Sequence, residues 1–160
     1  MDSELIKKAF DIAMKYHEKQ HDKVGNHYFA HIFTVAEMTE FSHIWRDDKE
    51  KEIAICVALL RDILNMTTVT PEYLYEQGFN DEVVDRVIRL TPLPYDTLEE
   101  FVKRCSEDFI CKQVQMYVLK NNMDITRYNN FKDIHIPTLE KYHNAYMFLY
   151  NIDNIIEDKK

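Results

Sequence analysis

Hydrophobic positions recur at helical spacing through most of this chain. After Ser3, whose hydroxyl can cap a first turn, the spacing predicts a helix that ends near Lys19. Its apolar positions are Leu5, Ala9, Ile12, Ala13 and Tyr16. The same periodicity returns at residues 28–41, whereas the polar stretch 20–27, which contains Gly25, predicts a loop. The chain is therefore expected to begin with two helices joined by a loop.

Residues 48–64 carry apolar side chains around most of the predicted helix circumference, which is typical of a helix at the centre of a bundle. Arg61 and Asp62 interrupt this apolar pattern near its end. Charged groups in such a setting must reach solvent, a partner or a pocket. The doublet is therefore a candidate functional position on the residues alone.

Local signals predict the remaining helices. Capping residues or a proline in the first turn mark helix starts at Thr70-Pro71, Asn80, Thr97 and Pro137. Residues 109–127 form a further, mostly helical segment.

Composition agrees with an all-α fold, since the 160 residues include only two glycines and four prolines. We expect one helical domain at residues 1–156 and a frayed polar tail at 157–160.

Charge and cysteine content narrow the function classes. A net charge of −8 argues against a protein that coats nucleic acid. Three cysteines without C-x-x-C spacing indicate reduced, buried thiols rather than a disulfide framework or a zinc site. The chain shows no secretion signal and no apolar run near the roughly 20 residues that cross a bilayer. We therefore predict a cytoplasmic protein without a membrane partner.

Four segments occur in the order and at the spacing of one known family. Residues 22–31 read DKVGNHYFAH, close to D-K-x-G-x-P-Y and a following histidine, and residues 59–67 read LLRDILNMT against L-L-H-D-x-x-E-D-T. Residues 114–127 read VQMYVLKNNMDITR against V-K-L-A-D-L-x-D-N-M-D-x-T-R, and residues 141–145 read KYHNA against K-Y-x-x-A. The chain resembles the small bacterial HD-domain proteins related to the hydrolase half of RelA/SpoT-type (p)ppGpp enzymes. The resemblance implies a single-domain HD-type helical bundle.

The family that this chain resembles binds one divalent ion, commonly manganese, through a histidine, a His-Asp doublet and a later aspartate. These positions are His31, Arg61, Asp62 and Val118 here. Guanidinium has no lone pair to donate and valine has no ligand atom. His31 and Asp62 remain as candidate metal ligands, but we expect no resident cofactor.

The resemblance also implies a Glu-Asp pair that activates the attacking water. Asn65 and Met66 stand in its place, and neither an amide nor a thioether serves as a general base. We therefore predict an HD-domain pseudoenzyme with a nucleotide-binding or regulatory role.

Candidate ligand-binding residues are Lys23, Arg61 and Asn122. Lys23 and Asn122 fall on positions that line the family's nucleotide pocket. The Arg61 guanidinium can take the place of the metal and pair with Asp62 or, more feasibly for a regular helix, with Asp124. The expected ligand is a guanine nucleotide or another phosphorylated small molecule. Alternatively, Arg61 forms an internal salt bridge in a pocket without function.

Two other functions stay open at this point. One is an active metal-dependent (pyro)phosphohydrolase with rearranged ligands, for which His17, His21 and His27 are the nearest additional donors. The other is an interaction module whose acidic surface meets a protein partner or a second copy of the chain.

Overall fold

The computed structural model describes residues 3–157, with side chains described as far as Ile152. Its α-helices are α1 Glu4–His17, α2 Tyr28–Glu40, α3 Asp48–Leu60, α4 Ile63–Met66, α5 Pro71–Glu76, α6 Asp81–Arg89, α7 Leu98–Cys105, α8 Phe109–Asn122 and α9 Ile136–Glu157. Within these residues there is no β-strand, only an isolated bridge between His21 and His27. The all-α prediction is confirmed. Of the predicted tail, Glu157 belongs to α9 and the other three residues lie outside the described residues.

Side-chain caps fix several of the predicted helix starts. The Ser3 hydroxyl accepts from the backbone N–H groups of Leu5 and Ile6. Thr97 and Glu100 form the reciprocal bonds of a capping box at α7. Each bond satisfies a donor that the first helical turn leaves without an internal partner.

Helix α3 is the central element, as predicted. Every residue from Ile53 to Leu60 is buried, and the helix contacts α1, α2, α6 and α8. Helix α9 packs against α7 and α8. No helix in the described part of the chain is both long enough and apolar enough to cross a membrane.

The end of α3 differs from the prediction. The helix ends at Leu60 and does not continue to Leu64, because Asp62 has ψ near −1°, whereas a regular helix has about −42°. A single turn, α4, then starts at Ile63. The charged doublet therefore lies at a bend between two helices.

Asp108 supports the start of α8 and its contact with α6. Its carboxylate accepts from the Cys111 N–H at 2.9 Å and pairs with the Arg86 guanidinium at 3.1 Å. We expect Asp108→Ala to lower the free energy of unfolding by about 2 kcal/mol, because cap and ion pair are lost together. Urea denaturation measures this change. Asp48→Ala, which removes an exposed first-turn acid from α3, is the matched control and should cost less than about 0.5 kcal/mol.

Candidate functional site

One cavity of about 900 Å³ contains all five residues that the sequence singled out. It is lined by the loop at 20–27, by α2, by the bend after α3, by α8 and by the start of α9. The five residues are Lys23, His31, Arg61, Asp62 and Asn122. Val118, which the resemblance aligns with a metal ligand, lines the same cavity. The structure thus brings together residues that are nearly 100 positions apart.

Arg61 holds the centre of this site. Its side chain is 8% exposed, and its Nη2 lies 2.7 Å from His31 Nε2 and 2.6 Å from Asp62 Oδ2. A guanidinium only donates hydrogen bonds, so His31 Nε2 must be the acceptor. The ring proton then lies on Nδ1, which donates to Asn121 Oδ1 at 2.5 Å. His31 is therefore a neutral imidazole with both nitrogens occupied.

The hydrogen bonds continue on both sides of Arg61. The Tyr28 hydroxyl donates to Asp62 Oδ2 at 2.8 Å. On the other side, Arg127 donates to Asn121 Oδ1 at 3.0 Å and pairs with Asp22 at 2.8 Å. We call this set the polar network; it consists of Asp22, Tyr28, His31, Arg61, Asp62, Asn121 and Arg127. It ties the 20–27 loop, α2, the bend after α3 and α8 into one unit.

The 20–27 loop is shaped by Asp22. Its Oδ1 accepts from the backbone N–H groups of Val24 and Asn26, at 3.0 and 2.9 Å. Gly25 has φ +89°, a left-handed conformation that side chains other than hydrogen disfavour. Burial raises the pKa of Asp22, but its bonds from Asn26, Arg127 and Val24 outweigh this and lower the pKa overall. This turn places Lys23 at the cavity edge.

Burial and neighbouring charge keep His31 neutral. Burial lowers its pKa most and the Arg61 charge adds to the effect, which together bring the pKa to about 4. Burial, followed by the Asp62 charge, raises the pKa of Tyr28 above its usual value. His31 is therefore neutral with one ring proton, and Tyr28 keeps its hydroxyl proton, as the hydrogen-bond directions require.

The residues present do not fit the divalent ion that the family resemblance implies. The Nε2 lone pair of His31 accepts from Arg61, and the Asp62 carboxylate is paired with the same guanidinium. Val118 has no ligand atom. Within the described residues, no three His, Cys, Asp or Glu side chains are grouped to hold a metal. A cation at this position would also face the fixed positive charge of Arg61.

The structure corrects one expected contact. Arg61 pairs with Asp62, and the preference for Asp124 was wrong. Asp124 instead accepts from the backbone N–H and hydroxyl of Thr126. The expectation assumed a regular helix through Arg61, in which adjacent side chains diverge. The bend at Asp62 removes that assumption.

Four network residues were not assigned a role from the sequence: Asp22, Tyr28, Asn121 and Arg127. Asn121, not Asn122, bonds to His31, Tyr28 bonds to Asp62 at one end of the network, and Arg127 joins Asn121 to Asp22 at the other. All four lie inside the motifs that carry the resemblance. A motif gives the segment, but neighbouring helical positions point about 100° apart, so it does not decide which asparagine faces the histidine.

In the described part of the chain, His17, His21 and His27 make no hydrogen bond to this network, although the rings of His17 and Tyr28 lie 5.6 Å apart. His17 Nδ1 bonds to Gln20, and burial lowers its pKa. The rings of His21 and His27 lie 4.7 Å apart on the loop.

Comparison with known proteins adds no assignment. No protein-family model matches the chain, and no curated protein matches it significantly.

We predict that, because of His31, the free energy of unfolding decreases as the pH is lowered. Between its unfolded pKa of about 6.5 and its folded value of about 4, the unfolded chain binds the additional proton. Stability should therefore fall as the pH drops through this range, by about 3 kcal/mol from this group at pH 4.

Comparison of wild type with His31→Gln, by urea denaturation from pH 7 to 4, isolates this effect. Glutamine keeps a donor and an acceptor but does not titrate, so the variant should show a shallower dependence. His43→Gln, at an exposed position, is the control and should follow wild type. Parallel curves for all three proteins would contradict a neutral, buried His31.

Proposed function

We propose that this protein is a catalytically inactive relative of the HD-domain phosphohydrolases that binds a guanine nucleotide, or a similar phosphorylated small molecule, without a metal. The observation that carries the proposal is the position of Arg61. One guanidinium nitrogen bonds both to the lone pair of His31 and to the carboxylate of Asp62.

This arrangement removes the basis of metal-dependent hydrolysis. His31 and Asp62 are the two side chains that remain from the family's ligand set, and both bond to Arg61 instead of a metal. The positions of the catalytic acids carry Asn65 and Met66, both exposed on the turn after the bend. Neither side chain takes a proton from water at neutral pH. Loss of the metal site and loss of the base are consistent with each other.

The cavity itself supports a ligand-binding role. Its volume of about 900 Å³ lies within the range of small-molecule sites. Lys23 is exposed at its edge, and no salt bridge involving Lys23 is found in residues 3–157. The half-buried Asn122 adds an amide that can bond to phosphate or ribose. A protein selected only for packing has little reason to keep such an open cavity.

We expect calorimetric titration with GDP and ppGpp, in the presence of EDTA, to give stoichiometric binding without release of pyrophosphate. Lys23→Ala should weaken binding about tenfold, because an ammonium–phosphate contact is lost. Lys19→Ala, on an exposed residue that does not line the cavity, should have no effect. Absence of binding to either nucleotide would contradict the proposed ligand class and favour the interaction-module function.

A second prediction concerns the metal. Wild type should show no manganese affinity by calorimetry, whereas Arg61→His with Val118→Asp should gain it, because all four ligand positions implied by the resemblance would then carry ligand side chains. The gain should appear as a manganese-dependent rise in the melting temperature. The two single variants are the matched controls and should gain little.

A double variant that folds but binds no manganese would count against the family alignment of Val118. Tight manganese binding by wild type would instead favour an active phosphohydrolase with rearranged ligands. Restored hydrolysis would require Asn65→Glu and Met66→Asp in addition.

A further inference from the structure

Two residues that line the cavity each contain a buried polar atom with no hydrogen-bond partner in the described part of the chain. The atoms are Oε1 of Gln115, whose residue is 3% exposed, and Nε of Arg61, whose residue is 7% exposed. Buried polar groups are almost always paired in folded proteins, so two unpaired groups beside one cavity point to a ligand that completes them. One is an acceptor and the other is a donor.

The charges in this inner part of the cavity cancel. Arg61 is paired with Asp62, and His31 is neutral. A phosphate placed against Arg61 would therefore also meet the Asp62 carboxylate at close range. Anionic groups gain little there, and neutral groups that both donate and accept are better matched.

The edge of the cavity differs from the inner wall. Lys23 is exposed and supplies a positive charge close to solvent, while Arg127 is balanced by Asp22. Asp133 lies elsewhere on the lining and is exposed. A phosphate beside Lys23 keeps part of its hydration and avoids the paired inner carboxylate.

We infer that Gln115 and Arg61 form a recognition site for the neutral, hydrogen-bonding end of the ligand, while its phosphate stays at the edge against Lys23. Gln115 Oε1 accepts from an N–H or O–H of the ligand, and Arg61 Nε donates to a neighbouring acceptor. A purine base carries both groups along one edge. Arg61 therefore contacts the base and not the phosphate. This inference rests on the proposed function and specifies how the same cavity holds its ligand.

Calorimetric titration with three separate probes, GDP, guanosine and inorganic pyrophosphate, tests this orientation. Gln115→Met should weaken the binding of GDP and guanosine about tenfold and leave pyrophosphate binding unchanged, because it removes the side-chain amide, and with it the Oε1 acceptor, at nearly constant volume. Lys23→Ala should weaken the binding of GDP and pyrophosphate and leave guanosine binding unchanged. Gln113→Met, on the same helix but away from the cavity lining, is the matched control and should bind all three probes like wild type.

The outcomes separate this inference from the proposed function. Wild type that binds GDP while Gln115→Met binds it equally well would overturn the inference and leave the proposed function intact. If Gln115→Met no longer binds pyrophosphate but still binds guanosine, the ligand has the opposite orientation, which would also overturn the inference. Wild type that binds none of the probes would overturn the proposed function. If Gln115→Met does not fold, as judged by its thermal transition, Gln115→Leu takes its place with the same expected results.

Discussion

The structure around the cavity depends on the contact of one guanidinium nitrogen with His31 and Asp62. Because Arg61 only donates, this contact sets the proton on His31, and the His31 proton in turn sets the role of Asn121. Arg127 and Asp22 extend these contacts to the 20–27 loop. Each residue of the polar network keeps its hydrogen bonds only while its neighbours stay in place. A low local dielectric strengthens these bonds and makes any missing partner costly.

The fold could largely be predicted from the sequence because its determinants are local. A capping box at Thr97 and a proline at Pro71 act within one helical turn, and both mark real helix starts. The apolar residues of α3 surround its axis, and that helix is the centre of the bundle. Such signals need no knowledge of distant parts of the chain.

The sequence indicated several residues of one cavity, but not the hydrogen bonds that connect them. Lys23, His31, Arg61, Asp62 and Asn122 do line one cavity. The bend at Asp62 was not predictable because apolar residues resume directly after the charged doublet, at Ile63 and Leu64. Its partners Tyr28 and His31 lie some 30 residues earlier. Likewise, only the three-dimensional packing decides that Asn121 faces the histidine. The choice of hydrogen-bond partners between helices depends on how the core packs, and a single sequence does not specify that packing in a readable form.

Under the proposed ancestry, the mutual dependence of the bonds in the polar network has an evolutionary consequence. Replacing Arg61 alone would leave Asp62 without its counter-charge and His31 without a donor. An aspartate at the buried Val118 alone would place a second buried carboxylate on the lining of the same cavity. Each single step back toward an ion site therefore passes through a less stable protein. Under the proposed ancestry, selection for stability alone would retain Arg61 once it had replaced a histidine, whether or not hydrolysis became useful again.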